Sequence, residues 1–190
     1  MPHLTELFLA MKMQYARSFV TLFEETLDQH IESIRTAKLS RLQRTFWMNE
    51  ARRTFRYAFF LRYYALFESH LLIICERIKE KNNLPLALND IRGESFLWTF
   101  DKFMTRVALL PSPSSSKHWK EILAYSQIRN LLIHADGTIK DIKSHTHLKS
   151  LVETSHDIHI DKHNRICFRK RFAIRVLSNM SNFLLLRTFK

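Results

Sequence analysis

The chain has 190 residues, 46% of them hydrophobic, which suits one domain with a sizeable core and a small appendage. Only two glycines, Gly93 and Gly137, and four prolines occur in it. A P-loop needs two closely spaced glycines and a dinucleotide fingerprint three, so both are excluded, as is a turn-dense sandwich or barrel. Thirty Lys and Arg against eighteen Asp and Glu leave a formal charge of +12. Such an excess attracts polyanions, nucleic acid first and an anionic membrane surface second, unless it serves only to solubilise. Cys75 and Cys167 make neither a disulfide framework nor a zinc quartet, which fits a reducing cytoplasm. The first residues carry Glu6 and Lys12 without a clean apolar block, so no signal sequence is expected. No run of eighteen uninterrupted apolar residues suggests a membrane span.

Leu4, Leu7, Phe8, Met11, Tyr15, Phe19, Leu22, Phe23, Leu27, Ile31 and Ile34 recur at three- and four-residue steps and predict one long amphipathic helix. A basic junction follows at Lys38 to Arg44. A second long helix is predicted from Asn49 to Lys81, ended by Asn82, Asn83 and Pro85. Another starts near Ser95 and runs through Val107. Pro111 to Ser116 reads as a loop, because neither proline nor clustered serine continues a helix. The next helix spans Lys117 to Asp136, with Gly137 where a left-handed cap belongs. Leu148, Leu151 and Val152 predict a short helix. Ile158, Ile160, Ile166 and Phe168 alternate around Asp161 to Asn164 as a small hairpin, and a last helix covers Phe172 to Phe189. The expected fold is all-α, with residues 1–45 as a helical extension and 46–190 as the main domain.

Chemistry concentrates in Arg129-Asn130-Leu131-Leu132-Ile133-His134, within a helix whose buried face is Trp119, Ile122, Leu123, Ile128, Leu131 and Leu132. Asn130 and His134 stand four residues apart, about 40° from each other around the helix. Ser126 precedes them on the same face. A largely apolar helix that keeps Arg, Asn and His in its last turns marks a candidate functional site. A histidine moves protons near neutral pH, and an arginine presents a planar fork to two phosphate oxygens. The structural reading of the same residues is a histidine capping carbonyls and an arginine paired with an acid.

Arg, a polar residue, three more residues and His make the R-x4–6-H motif of the HEPN superfamily, small helical domains found in many RNA-cutting toxins and defence proteins. The chain resembles that family through Arg129, Asn130 and His134, with Gly137 trailing them. Tyr64 to Leu72, with Phe67 and Glu68 as an aromatic–acidic pair, resembles its core helix. The similarity spans Asn49 to Phe189. It implies a HEPN-like bundle and a homodimer in which two motifs share one cleft. It also implies a metal-independent endoribonuclease without cofactor, leaving a 2′,3′-cyclic phosphate and a 5′-OH. A neutralising antitoxin or another defence component is an expected partner.

Glu68 is the auxiliary candidate, since a carboxylate in an apolar stretch needs a partner such as Arg129 or His134. Arg165, Arg169, Lys170, Arg171 and Arg175 are candidates for RNA backbone contacts, or a hairpin edge guarded by charge. The aromatic run Phe55 to Phe67, interleaved with Arg52, Arg53, Arg56 and Arg62, suits a core and a dimer interface, or a base-stacking groove. His156, His159 and His163 have spacing compatible with zinc, but no cysteine completes a tetrad, and no metal is expected. The alternatives to an enzyme are a non-catalytic HEPN-like module for RNA or nucleotide binding or dimerisation, and a helical adaptor whose basic face docks on an acidic partner.

Overall fold

The structure, a computed structural model, describes residues 4–188. Its side chains are described from Lys12 onward with gaps, so Leu4, Leu7, Phe8 and Met11 lie outside the described residues, as does Phe189. Six helices make up most of it: α1 (Leu4–Thr36), α2 (Arg41–Lys81), α3 (Phe96–Lys102), α4 (Trp119–Ala135), α5 (Thr146–Thr154) and α6 (Phe172–Thr188). A two-stranded antiparallel hairpin, β1 (Ile158–Ile160) and β2 (Ile166–Phe168), precedes the last helix. The all-α class and the hairpin agree with the sequence pattern.

Helix α2 begins eight residues earlier than its apolar pattern suggests. Ser40 and Gln43 form a capping box, in which the Ser40 hydroxyl accepts from the Gln43 amide and the Gln43 side chain accepts from the Ser40 amide. The helix thus starts inside the basic junction, and a π-helical turn at Phe46–Ala51 carries it on without a break. The expected boundary between residues 45 and 46 therefore falls inside a continuous helix. Asn82 and Asn83, the latter at φ 53°, terminate it.

The core lies around α2. Phe60, Tyr64, Phe67 and Leu71 are at most 1% exposed. Phe60 meets Tyr125 of α4, Phe168 of β2 and Phe172 of α6, while Phe67 meets Phe183 of α6. By length and composition α2 could cross a membrane, yet its apolar side is spent on these internal contacts.

On α1 the buried stripe is Ala16, Val20, Leu27, Ile31 and Ile34, and Ala16 and Val20 belong to the same core. The expected positions Tyr15, Phe19 and Leu22 remain exposed, because α1 is apolar on two sides and only one faces α2 and α6. Phe23 packs against Phe55, tilted, and against Phe59, edge-on, with ring centroids 4.8 and 5.0 Å apart, and Phe19 lies 5.7 Å from Phe59. Much of the surplus aromatic face of α2 is thus covered by the chain's own first helix. Surplus apolar surface on α2 consequently loses force as a reason for dimerisation.

One buried ion pair ties the two long helices together. Arg56 donates from Nε and Nη2 to both oxygens of Glu24 at 2.7 Å each, and its Nη1 donates to the Phe168 carbonyl at 2.8 Å. Glu24 is 3% exposed, so removing the guanidinium strands a carboxylate in the interior. Arg56→Met should cost about 3–5 kcal/mol in urea unfolding, while Glu24→Leu combined with Arg56→Met should recover most of that loss. Wild-type stability in the single variant would show that water reaches the pair.

Candidate functional site

Helix α4 presents the motif at its C-terminal end. Trp119, Ile122, Ala124, Tyr125, Ile128 and Leu132 are buried, Leu123 and Leu131 half-buried, and Lys120, Asn130, Ile133 and His134 are exposed. Asp136 at φ 47° and Gly137 at φ 74° take the chain through left-handed conformations, and the Gly137 amide donates to the Leu131 carbonyl at 3.0 Å. A Cβ on Gly137 would stand 2.6 Å from the Tyr57 hydroxyl, so both backbone angle and space call for glycine there.

Beyond this cap the chain joins the hairpin. Thr138 bridges to Arg165, Ile139 donates to the Asn164 carbonyl at 2.8 Å, and Ile166 donates to the Gly137 carbonyl at 2.9 Å. The end of the motif helix is therefore anchored to the hairpin.

Asn130 and His134 are exposed and Arg129 is half-buried. Arg129 Nη1 donates to Asn130 Oδ1 at 3.1 Å. No hydrogen bond or ion pair engages the His134 ring among the described residues. Across the seam, α2 contributes Tyr64 and Glu68, one turn apart. Burial pushes the Glu68 carboxyl above the usual carboxylate range, and the Arg129 charge offsets part of that rise. The expected partner is present as a field, but no Glu68–Arg129 ion pair closes within 4 Å among the described residues. The Tyr64 hydroxyl is buried beside the Ser126 side chain, without a well-formed hydrogen bond among the described residues. Burial raises its pKa as well, opposed by the Ser126 side chain and Arg129 and reinforced by Glu68. Tyr64, Glu68, Ser126, Arg129 and Asn130 thus share one patch, which leaves the arginine fork turned toward an exposed amide.

The five expected RNA-contacting cations divide. Arg169 and Arg171 are exposed, with no ion pair among the described residues. Lys170 pairs with Asp28 of α1 at 2.8 Å. Arg175 is committed inward, donating to Glu121 at 3.0 Å and to the Ser155 hydroxyl at 3.0 Å. Arg165 pairs with Asp161 at 3.1 Å and lies 3.6 Å from Glu50. Glu121 also accepts from the Tyr125 hydroxyl and from Asn179, a network that spacing could not foretell because its members come from α4, α6 and Ser155 in the turn after α5.

His156, His159 and His163 do not converge, and among the described residues no three His, Cys, Asp or Glu side chains cluster as a cation site. The aromatic run offers little platform for bases, since Tyr57, Phe60, Tyr63, Tyr64 and Phe67 are buried and Phe55 lies against Phe23. The sequence reading missed Glu50 in the π-turn of α2 and named Arg53, just after it, only as part of the aromatic run. Their signal was the run of polar and charged residues from Asn49 to Arg53, which heads a helix interior where apolar residues were sought.

No family model, curated protein or solved structure matches the chain.

The raised Glu68 pKa carries a definite sign. The folded state holds its proton more tightly than the unfolded chain, so folding is favoured below the unfolded value and loses that contribution as pH rises through the folded one. Glu68→Gln should therefore gain stability relative to wild type as pH rises from 4 to 7, read by urea unfolding at both ends. A difference independent of pH would mean that Glu68 is solvated as in the open chain.

Proposed function

We propose that the chain is a HEPN-type, metal-independent endoribonuclease, acting as a homodimer within a toxin or antiviral defence system. The observation that carries this reading is the motif end of α4, where exposed Asn130 and His134 stand on one face beside half-buried Arg129, backed by Glu68 and Tyr64 of α2. RNA supplies its own nucleophile, the 2′-OH. The protein then needs a group to move protons and a fixed positive charge for the phosphorane-like transition state. His134 takes the first role, unhindered by internal hydrogen bonds. Arg129 takes the second, aligned by the Asn130 amide, while the Glu68 carboxylate holds the guanidinium by its field without capturing it in an ion pair.

One His134 is a meagre set for acid and base together, and nothing among the described residues orients its ring. A second copy facing the same cleft supplies both needs, with Ile133, 49% exposed beside His134, as apolar contact at the seam. Light scattering at tens of micromolar should accordingly give a dimer. A monomer that cleaves RNA would overturn the shared site.

The chemistry is tested with purified protein and mixed RNA. Cleavage should survive EDTA, leave 2′,3′-cyclic phosphate ends, and fail on 2′-O-methyl substrate. His134→Ala should lower turnover by about 10²–10⁴-fold. Arg129→Lys should fail nearly as badly as Arg129→Ala, because a point charge does not reproduce a bidentate fork. Chelator-sensitive cleavage, or DNA cut at a comparable rate, would sink this assignment.

A further inference from the structure

A cavity of about 590 Å³ opens between the π-turn of α2 and the outer face of the hairpin. Arg52 and Arg53 line it from α2, Lys162, His163 and Arg165 from the hairpin tip, and His159 from β1. The strand register explains the last: Ile158 pairs with Phe168 and Ile160 with Ile166 toward the core, so His159 and Cys167 face the other way. The tip is built by Asp161, whose Oδ1 accepts from the amides of His163 and Arg165 at 2.8 and 2.9 Å. That holds Lys162 and His163 outward, both exposed and without a side-chain partner among the described residues.

The guanidinium groups differ in what they have left to give. Arg56, deeper in the wall, is fully used by Glu24 and Phe168, and Arg52 is drawn toward Asp28 of α1 at 2.9 Å. Arg53 and Arg165 share the Glu50 carboxylate: Arg53 Nη2 contacts Glu50 Oε2, and Arg165 Nη1 lies 3.6 Å from Glu50 Oε1, while the Nε of Arg165 is taken by Asp161 at 3.1 Å, so its Nη1 edge is the part that faces Glu50. Asp136 adds a contact to Arg53 at 3.8 Å, and the Nη1 of Arg53 is buried with no acceptor among the described residues. A carboxylate set between two arginines occupies the place that a bound phosphate would take. Glu50 owes that place to the π-turn, a local departure from α-helical register that recurs at functional sites. Because Asp136 follows the motif helix directly, the cavity adjoins the end of α4 that carries His134.

We infer that this cavity is a phosphate subsite for the RNA backbone, with Arg53 and Arg165 as the clamp, Lys162 and His163 as its rim, and Glu50 as an internal anion that RNA phosphate displaces. The inference rests on the ribonuclease reading for the identity of the polyanion, but its geometry is separate from the Arg129–His134 patch. It predicts opposite effects from two charge changes in one cavity. Glu50→Gln removes the competitor and should tighten RNA binding. Lys162→Glu places a like charge at the entrance and should weaken it.

The test is fluorescence anisotropy with a labelled single-stranded 2′-O-methyl oligoribonucleotide, which binds without being cut, over a range of salt. Lys162→Glu should lose about tenfold in affinity and flatten the salt dependence by close to one unit of slope. Arg92→Glu, an equal charge reversal outside the cavity, should change affinity far less. Glu50→Gln should gain several-fold, with circular dichroism verifying that both cavity variants are folded. Equal affinity for wild type, Lys162→Glu and Glu50→Gln overturns the subsite. So does a Glu50→Gln variant that is folded but binds more weakly. Inorganic pyrophosphate that responds to the two variants while the oligonucleotide does not would assign the clamp to a free phosphate ligand and overturn RNA as its occupant. A chain that binds in the expected way yet leaves natural RNA intact retains the subsite and loses the nuclease reading.

Discussion

The aromatic contact of Phe60 with the hairpin and the last helix is the constraint on which the remaining architecture depends. Phe60 reaches Tyr125, Phe168 and Phe172 at once, and Phe168 stacks on Phe172 at 4.3 Å. Four elements meet there: α2, α4, β2 and α6. Rings bury large areas with few rotatable bonds, so such a node defines relative positions more sharply than aliphatic packing of equal area. The two strands of this hairpin are only three residues each and have no sheet to lean on. They persist because Ile158, Ile166 and Phe168 are buried into this node and because the segment after α4 pairs with them.

From that node follow the positions of both charged sites. The seam between α2 and α4 sets Tyr64 and Glu68 beside Ser126 and Arg129, while the cap at Asp136 and Gly137 hands the chain directly to the hairpin. The motif patch and the arginine-lined cavity are neighbours for this reason, although their residues come from stretches of sequence far apart. A rigid interior beneath exposed, incompletely paired polar groups is the arrangement that preorganised chemistry on a polyanion requires.

Charge is distributed with less freedom than a total of +12 suggests. Glu24 and Asp28 of α1 face Arg56, Arg52 and Lys170, and Glu121 takes Arg175. Much of the basic cluster near the last helix is therefore structural, and the cations left to meet a partner are fewer and more local. The first helix does two jobs here, covering the second aromatic face of α2 and pairing with its Arg52 and Arg56.

The sequence by itself determined the helical class, the hairpin before the last helix, the loop at Pro111 to Ser116 and the left-handed exit at Gly137. Each of these depends on local rules of periodicity, turn chemistry and backbone freedom, which act within a few residues. The face shared by Ser126, Asn130 and His134 was legible for the same reason, since helical spacing alone sets it. Other features depended on partners distant in the chain. Apolar periodicity on α1 marked two candidate faces, and only packing against α2 and α6 decided that Ala16 and Val20, not Tyr15 and Leu22, would be buried. A basic side chain looks identical in sequence whether it is open to a ligand, like Lys162, or consumed by an internal acid, like Arg175. Glu50 set between Arg53 and Arg165 joins a π-turn to a hairpin more than a hundred residues away. Tertiary structure decided that contact because ion pairing acts through space, and nothing in local spacing encodes which acid a given arginine will meet.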